Sequence, residues 1–186
     1  WDLTNLQLIQ FIPTHFGDLL WSADGNFLLV GTGDIDIPIL RKYNTYTQEL
    51  VQENHIFTNE FILLDESTII SYGISNVLFI DFNDLSIITT IDLTEETNSS
   101  RISSITISPD KQYIVIGYRT NKILVWDITT EQFIATLDGG GEIVDDSFID
   151  ELAFNESGSR LSSVIRNGAI RVWDTSTWEL IAKTNL

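Results

Sequence analysis

The run Asn167-Gly168-Ala169-Ile170-Arg171-Val172-Trp173-Asp174 decides the fold. It reads as a tight turn, a short strand and a closing Trp-Asp pair. Asn and Gly tolerate the left-handed backbone that tight turns need. Ile170 to Trp173 holds the β-branched and aromatic residues that suit a pleated, half-buried surface. The pattern recurs at Thr120-Asn121-Lys122-Ile123-Leu124-Val125-Trp126-Asp127. The sequence opens on another pair, Trp1-Asp2, and weaker copies stand at Tyr43-Asn44 and Ile80-Asp81. These anchors fall at positions 1, 43, 80, 126 and 173, so their spacings are 42, 37, 46 and 47 residues. A repeated four-stranded unit of about 40–45 residues has this period.

Working outward from the anchors predicts one outer strand followed by four repeats. Residues 1–12 read as the outer strand of an incomplete unit, ended by Pro13, which cannot donate to a ladder. The repeats span residues 15–52, 56–92, 101–137 and 148–186, the second being the most divergent. Ser22-Ala23-Asp24-Gly25 and Ser108-Pro109-Asp110-Lys111 read as β-turns after the first strand of their repeats. The outer strands are predicted at Gln48 to Gln52, Ser86 to Ile91, Gln132 to Leu137 and Trp178 to Ala182. Ile114-Val115-Ile116 and Ile123-Leu124-Val125-Trp126 are apolar on both faces, whereas a sheet with one wet face alternates. Doubly apolar strands fit a sheet stacked between two others. No stretch carries helical periodicity with caps.

These residues resemble the WD40 repeat family. The likeness is strongest at Ser108-Pro109-Asp110, Trp126-Asp127 and Trp173-Asp174. The resemblance implies an all-β fold, a β-propeller of four-stranded antiparallel blades. Members of that family usually close a ring of about seven blades, so the resemblance implies the C-terminal part of a larger ring or one section of a longer chain. The family's good repeats hold a buried network joining a His, a Ser/Thr on the second strand, the Trp indole and an Asp six residues before the Trp. Here Thr120 and Asn167 occupy that Asp position. His15 and His55 fall near the family's His in repeats that lack the Trp. The network is therefore expected to be incomplete in every blade, with packing holding the blades together.

Composition bounds the partners. The chain has 186 residues, with 10 Lys+Arg against 27 Asp+Glu, a net charge of −17. Nucleic acid and anionic membranes require clustered positive charge, so neither is an expected partner. There is no Cys, hence no disulfide framework and no thiolate metal site. Asn98-Ser99-Ser100 and Asn155-Glu156-Ser157 are acceptor sequons only in a secreted chain. No apolar run is long enough for a transmembrane helix and no signal peptide is read; the compartment stays open, with the cytoplasm weakly favoured.

Catalytic chemistry finds little footing. Neither His15 nor His55 sits in a nucleophile motif. Two His without Cys make a poor zinc site. Asp34 with Asp36, and Asp145 with Asp146, are oxygen donors without a Ca²⁺-loop pattern. No cofactor and no metal is expected. Trp21, Tyr43, Tyr118 and Trp178 lie in or beside strands and read as packing residues.

The candidate site follows from the resemblance. In WD40-like propellers the residue before the Asp position points onto the partner-binding face; here these are Arg119 and Arg166. Arg101, leading into the first strand of its repeat, is expected beside them. Arg forks bind carboxylates and are enriched in interface hot spots; the plainer alternative is that each pairs with Glu142 or Asp145. The sequence thus implies a non-catalytic scaffold or adaptor binding protein or peptide segments, acidic ones at the Arg face or basic ones elsewhere. Open blade faces would invite further association if the chain is a fragment. Two other readings stay open: a hydrolase-like propeller enzyme with a central-channel site, and a regulatory or sensor module of a multidomain protein.

Overall fold

A computed structural model describes residues 18–31, 38–94, 100–140, 148–166 and 168–184. The outer strand expected at 1–12, together with His15, Asp34, Asp36, Asp145, Asp146 and Asn167, lies outside the described residues. Among the described residues the elements are sixteen strands in four antiparallel sheets, each a meander in chain order. The first sheet holds β1 (Leu19–Trp21), β2 (Phe27–Gly31), β3 (Leu40–Asn44) and β4 (Leu50–Asn54). The second holds β5 (Phe61–Leu63), β6 (Thr68–Tyr72), β7 (Asn76–Asp81) and β8 (Ile87–Asp92). The third holds β9 (Ile102–Ile107), β10 (Tyr113–Tyr118), β11 (Lys122–Asp127) and β12 (Gln132–Asp138). The fourth holds β13 (Ile149–Phe154), β14 (Arg160–Ile165), β15 (Ile170–Asp174) and β16 (Leu180–Lys183).

The chain divides into two compact units. The first contains the first sheet and most of the second; the other contains the third and fourth sheets. Each has its own core. In the first unit Leu29, Leu40, Phe61, Ile69, Leu78 and Ile80 are among the buried residues that pack together. In the second unit Val115, Ile123, Val125, Ile149, Leu161 and Trp173 do so. The doubly apolar strands are buried on both faces as the sequence predicts: Ile114, Val115 and Ile116 are all inaccessible, as are Ile123 and Val125. The outer strands β8 and β16 are largely exposed.

Within each unit a glycine lets one sheet seat on the next. A Cβ on Gly117 would lie 2.7 Å from Ile149 Cγ2. Gly31, nine residues after Ser22 as Gly117 is after Ser108, stands in the same relation to the Phe61 ring. Ile149 and Phe61 are each the first residue of the following sheet. Close seating therefore needs a residue without a Cβ at both places.

The turns explain the anchor aspartates. Asp127 Oδ1 accepts the N–H groups of Thr129 and Thr130 at 2.8 and 3.0 Å. Asn44 does the same for Tyr46 and Thr47, Asp81 for Asn83, and Asp174 for Ser176. Four residues after each anchor the backbone enters the left-handed region, at Gln48, Leu85, Glu131 and Trp178. Gln48 and Trp178 are thus turn residues. The outer strands expected to begin there start two residues later, at Leu50 and Leu180. The turns after β1, β9 and β13 share another device. Ser22 Oγ accepts the N–H of Phe27 and Ser108 Oγ that of Tyr113, both at 2.9 Å; Asn155 Oδ1 accepts that of Arg160 at 2.9 Å.

The family's buried network is incomplete among the described residues. Ser71 and Ser163, on the second strands of their sheets, are buried with no hydrogen-bond partner for Oγ. His55 is exposed, its Nε2 3.7 Å from Glu53 Oε1. Trp126 meets Phe133 edge-on, with centroids 4.7 Å apart. Tyr118 is fully buried, and Trp178 meets Tyr113 edge-on at 5.4 Å. Trp21 departs from the packing expectation: it is 57% exposed, because β1 is a three-residue strand whose outward positions face solvent.

Candidate functional site

The three arginines predicted from sequence all lie in the second unit, at one end of its two sheets. Arg101 precedes β9, and its carbonyl accepts the N–H of Arg119, just after β10, at 3.0 Å. The fourth sheet repeats this closure: the N–H of Arg166, just after β14, donates to the carbonyl of Phe148 at 3.1 Å. Phe148 therefore occupies in the fourth sheet the position of Arg101 in the third.

That register brings the two sheets' arginines together on one ring. The guanidinium carbons of Arg119 and Arg166 each lie 5.1 Å from the Phe148 ring centroid. Each contact contributes about 0.5–1 kcal/mol at an exposed site. The ring fixes two long side chains that would otherwise sample many rotamers. All three arginines are exposed and Phe148 is half-buried. Among the described residues none of the three pairs with a carboxylate; Glu142 and Asp145, the acids considered from sequence, lie outside them. Each guanidinium carries five N–H donors in a planar fork that matches a carboxylate. A preorganised cationic patch on a protein of charge −17 is a local reversal of sign. Sequence reasoning missed Phe148. The signal was its place directly before β13, equivalent to Arg101 before β9.

Among the described residues no group of three or more His, Cys, Asp or Glu side chains is arranged to hold a metal. No helix among them is long and apolar enough to cross a membrane.

Four meander sheets of this kind, with Trp-Asp or its equivalents closing each third strand, are blades of the β-propeller kind. Residues 88–127 match the family model described as WD domain, G-beta repeat. The matched segment runs from the outer strand β8 to Trp126-Asp127, so the sequence repeat is offset by one strand from the sheet. Among solved structures the chain is similar to the β-propeller domain of Cps50 (Swd1) from Myceliophteria thermophila, with a TM-score of 0.73 and 14% identity. That alignment covers 100% of this chain and 64% of the other, so the chain spans less than two thirds of that propeller. No curated protein sequence matches the chain.

Proposed function

We propose that this chain is a non-catalytic scaffold that binds a protein or peptide segment, and that Arg101, Arg119 and Arg166, the last two organised around Phe148, take an acidic part of that partner. WD40 propellers typically serve as non-enzymatic interaction scaffolds. The observation that carries the site is the shared ring: Phe148 holds two guanidinium groups from adjacent sheets, and their donors meet no carboxylate among the described residues. Arg side chains beside an aromatic ring are of the residue types enriched in interface hot spots.

The test is a binding screen of fluorescent peptides rich in Asp and Glu against neutral and Lys-rich controls. Acidic peptides are expected to bind, and more weakly as salt rises, because exposed charge pairs are screened. Arg119→Ala and Arg166→Ala are each expected to weaken binding about tenfold, the scale of a hydrogen bond to a charged group, with circular dichroism unchanged. Equal binding by wild type and the double variant would reject the assignment. So would a failure of acidic peptides to bind better than neutral ones.

A further inference from the structure

The first unit holds a buried cation of a different kind. Lys42 is only 5% exposed, because the alternation of β3 turns Leu40 and Lys42 inward. Its Nζ donates to the carbonyls of Phe82 and Asn83 at 3.0 and 3.1 Å. The rings of Phe27 and Phe82 lie 4.5 and 4.7 Å from it. Among the described residues no carboxylate comes within ion-pair distance of Nζ. Burial pulls its pKa below the ordinary lysine value, and the longer-range attraction of Asp81, Asp24 and Asp84 offsets part of that.

An ammonium carries three donors, and two are used here. A buried charge without an ion-pair partner is costly, and an apolar side chain across the two rings would pack without that cost. The charge stands where the unit has a pocket of about 390 Å³, lined by Lys42, both phenylalanines, Asp24, Glu66 and Asn83 among others. That volume lies within the range of small-molecule sites, about 300–1,000 Å³. The two wall acids differ. Asp24 is engaged by Ser22 and Asn26. Glu66 is exposed and makes no hydrogen bond or ion pair among the described residues. The pocket lining thus combines an ammonium with two of its three N–H groups on carbonyls, a carboxylate without a partner among the described residues, and two aromatic rings.

We infer that this pocket binds a small zwitterion of the α-amino acid class, its carboxylate accepting the third N–H of Lys42 and its ammonium meeting Glu66. A simple anion lacks a partner for Glu66, and a simple cation is repelled by Lys42. The site is separate from the arginine cluster and stands whether or not that cluster binds peptides.

The experiment is calorimetric titration and thermal shift of the full chain with individual free α-amino acids at about 10 mM, which detects millimolar affinity. Acetate and methylammonium serve as single-charge probes, and N-acetylated peptides ending in the best residue separate a free ligand from a peptide terminus. At least one amino acid is expected to bind about tenfold more tightly than its N-acetyl and methyl ester derivatives, since each loses one charge-assisted bond. Lys42→Met, which fills the same space, is expected to fold and to lose the response. Glu66→Gln, at an exposed position, is expected to bring the free amino acid down to the affinity of its N-acetyl form. The inference is overturned if no amino acid binds wild type, if acetate binds as well as the best amino acid, or if Glu66→Gln leaves binding unchanged. Undiminished binding by a folded Lys42→Met overturns it equally. A peptide terminus that binds more tightly than the free amino acid overturns the small-molecule assignment.

Discussion

Arg166 and Phe148 are joined twice: the amide of Arg166 donates to the Phe148 carbonyl at 3.1 Å, and its guanidinium lies 5.1 Å from the Phe148 ring. The backbone bond closes the fourth sheet, so it survives loss of the ring. Phe148→Ala should therefore leave the fold intact and release Arg119 and Arg166 into many rotamers. Acidic-peptide binding is expected to fall by about the entropy of fixing two long side chains, some 0.5–1.5 kcal/mol each. Phe148→Tyr should keep the affinity. An unaffected Phe148→Ala variant would show that the arginines bind without being organised by the ring.

Gly117 sets the seating of the fourth sheet on the third. A methyl there meets Ile149 Cγ2 at 2.7 Å, Ile149 Cβ at 2.9 Å and Leu152 Cδ1 at 3.2 Å. Gly117→Ala should lower stability by about 1–3 kcal/mol, the usual cost of overpacking. Removing the opposing atoms should return part of it, so the double variant Gly117→Ala/Ile149→Ala is expected to be more stable than additivity allows. A double-mutant cycle in urea measures this, and strictly additive losses would refute the contact.

The fold was legible because burial repeats. Trp126-Asp127 and Trp173-Asp174 mark equivalent places in equivalent sheets, and the doubly apolar strands between them report a core on both faces. The outer strands at Gln48 and Trp178 were misplaced because a left-handed turn residue carries no signal when it is Gln or Trp instead of Gly. The candidate site was half legible. Arg119 and Arg166 were named from their place in the repeat, one residue before the Asp position held by Thr120 and Asn167. Phe148 was not, since one more aromatic beside a strand looks like packing, and only the register against Arg101 gives it a place. Lys42 was hidden by its neighbours Arg41 and Tyr43: which of two adjacent basic residues points inward depends on strand phase, which composition does not give.

Lys111 carries avoidable backbone strain. Its φ is 61°, where Gly25 and Gly158 stand at 72° in the equivalent turns. A non-glycine residue there costs about 1 kcal/mol, partly offset by the greater chain entropy that Gly loses on folding. Lys111→Gly should raise stability by about 0.5 kcal/mol, while Gly25→Ala should lower it by about 1 kcal/mol. Urea midpoints of the two variants would show it; a stabilising Gly25→Ala would contradict the turn assignment.

Ser163 tests whether a buried polar network holds the fourth blade. Its Oγ is buried, the residue is only 2% exposed, and no hydrogen-bond partner reaches it among the described residues. An unsatisfied buried hydroxyl is a burden, so Ser163→Ala should be neutral or stabilising by up to about 1 kcal/mol. In a blade with the complete family network the same change would cost that much or more. A clear loss of stability on calorimetry would mean that Ser163 is tied to Trp173 after all.

Ser108 and Asp110 give the acid dependence a definite sign. Ser108 Oγ donates to Asp110 Oδ1 at 2.5 Å while accepting the N–H of Tyr113. The Ser108 hydrogen bond, followed by the Gln112 amide, holds the Asp110 carboxyl below the usual carboxylate range. A depressed folded-state pKa means that the unfolded chain binds more protons across the window, so stability rises with pH there. The contribution is present in full above the unfolded value of about 3.9 and is lost as pH falls through the folded one. Ser108→Ala removes both hydrogen bonds and should cost about 1–2 kcal/mol at pH 7. Part of that cost belongs to the ionised pair, so the gap between wild type and Ser108→Ala should narrow as pH drops below about 4. The like-charge repulsion of an acidic chain acts on both proteins and cancels in the difference. Urea titrations of the pair between neutral and acid pH measure it, and a gap that stays constant or widens in acid would show that Asp110 takes nothing from Ser108.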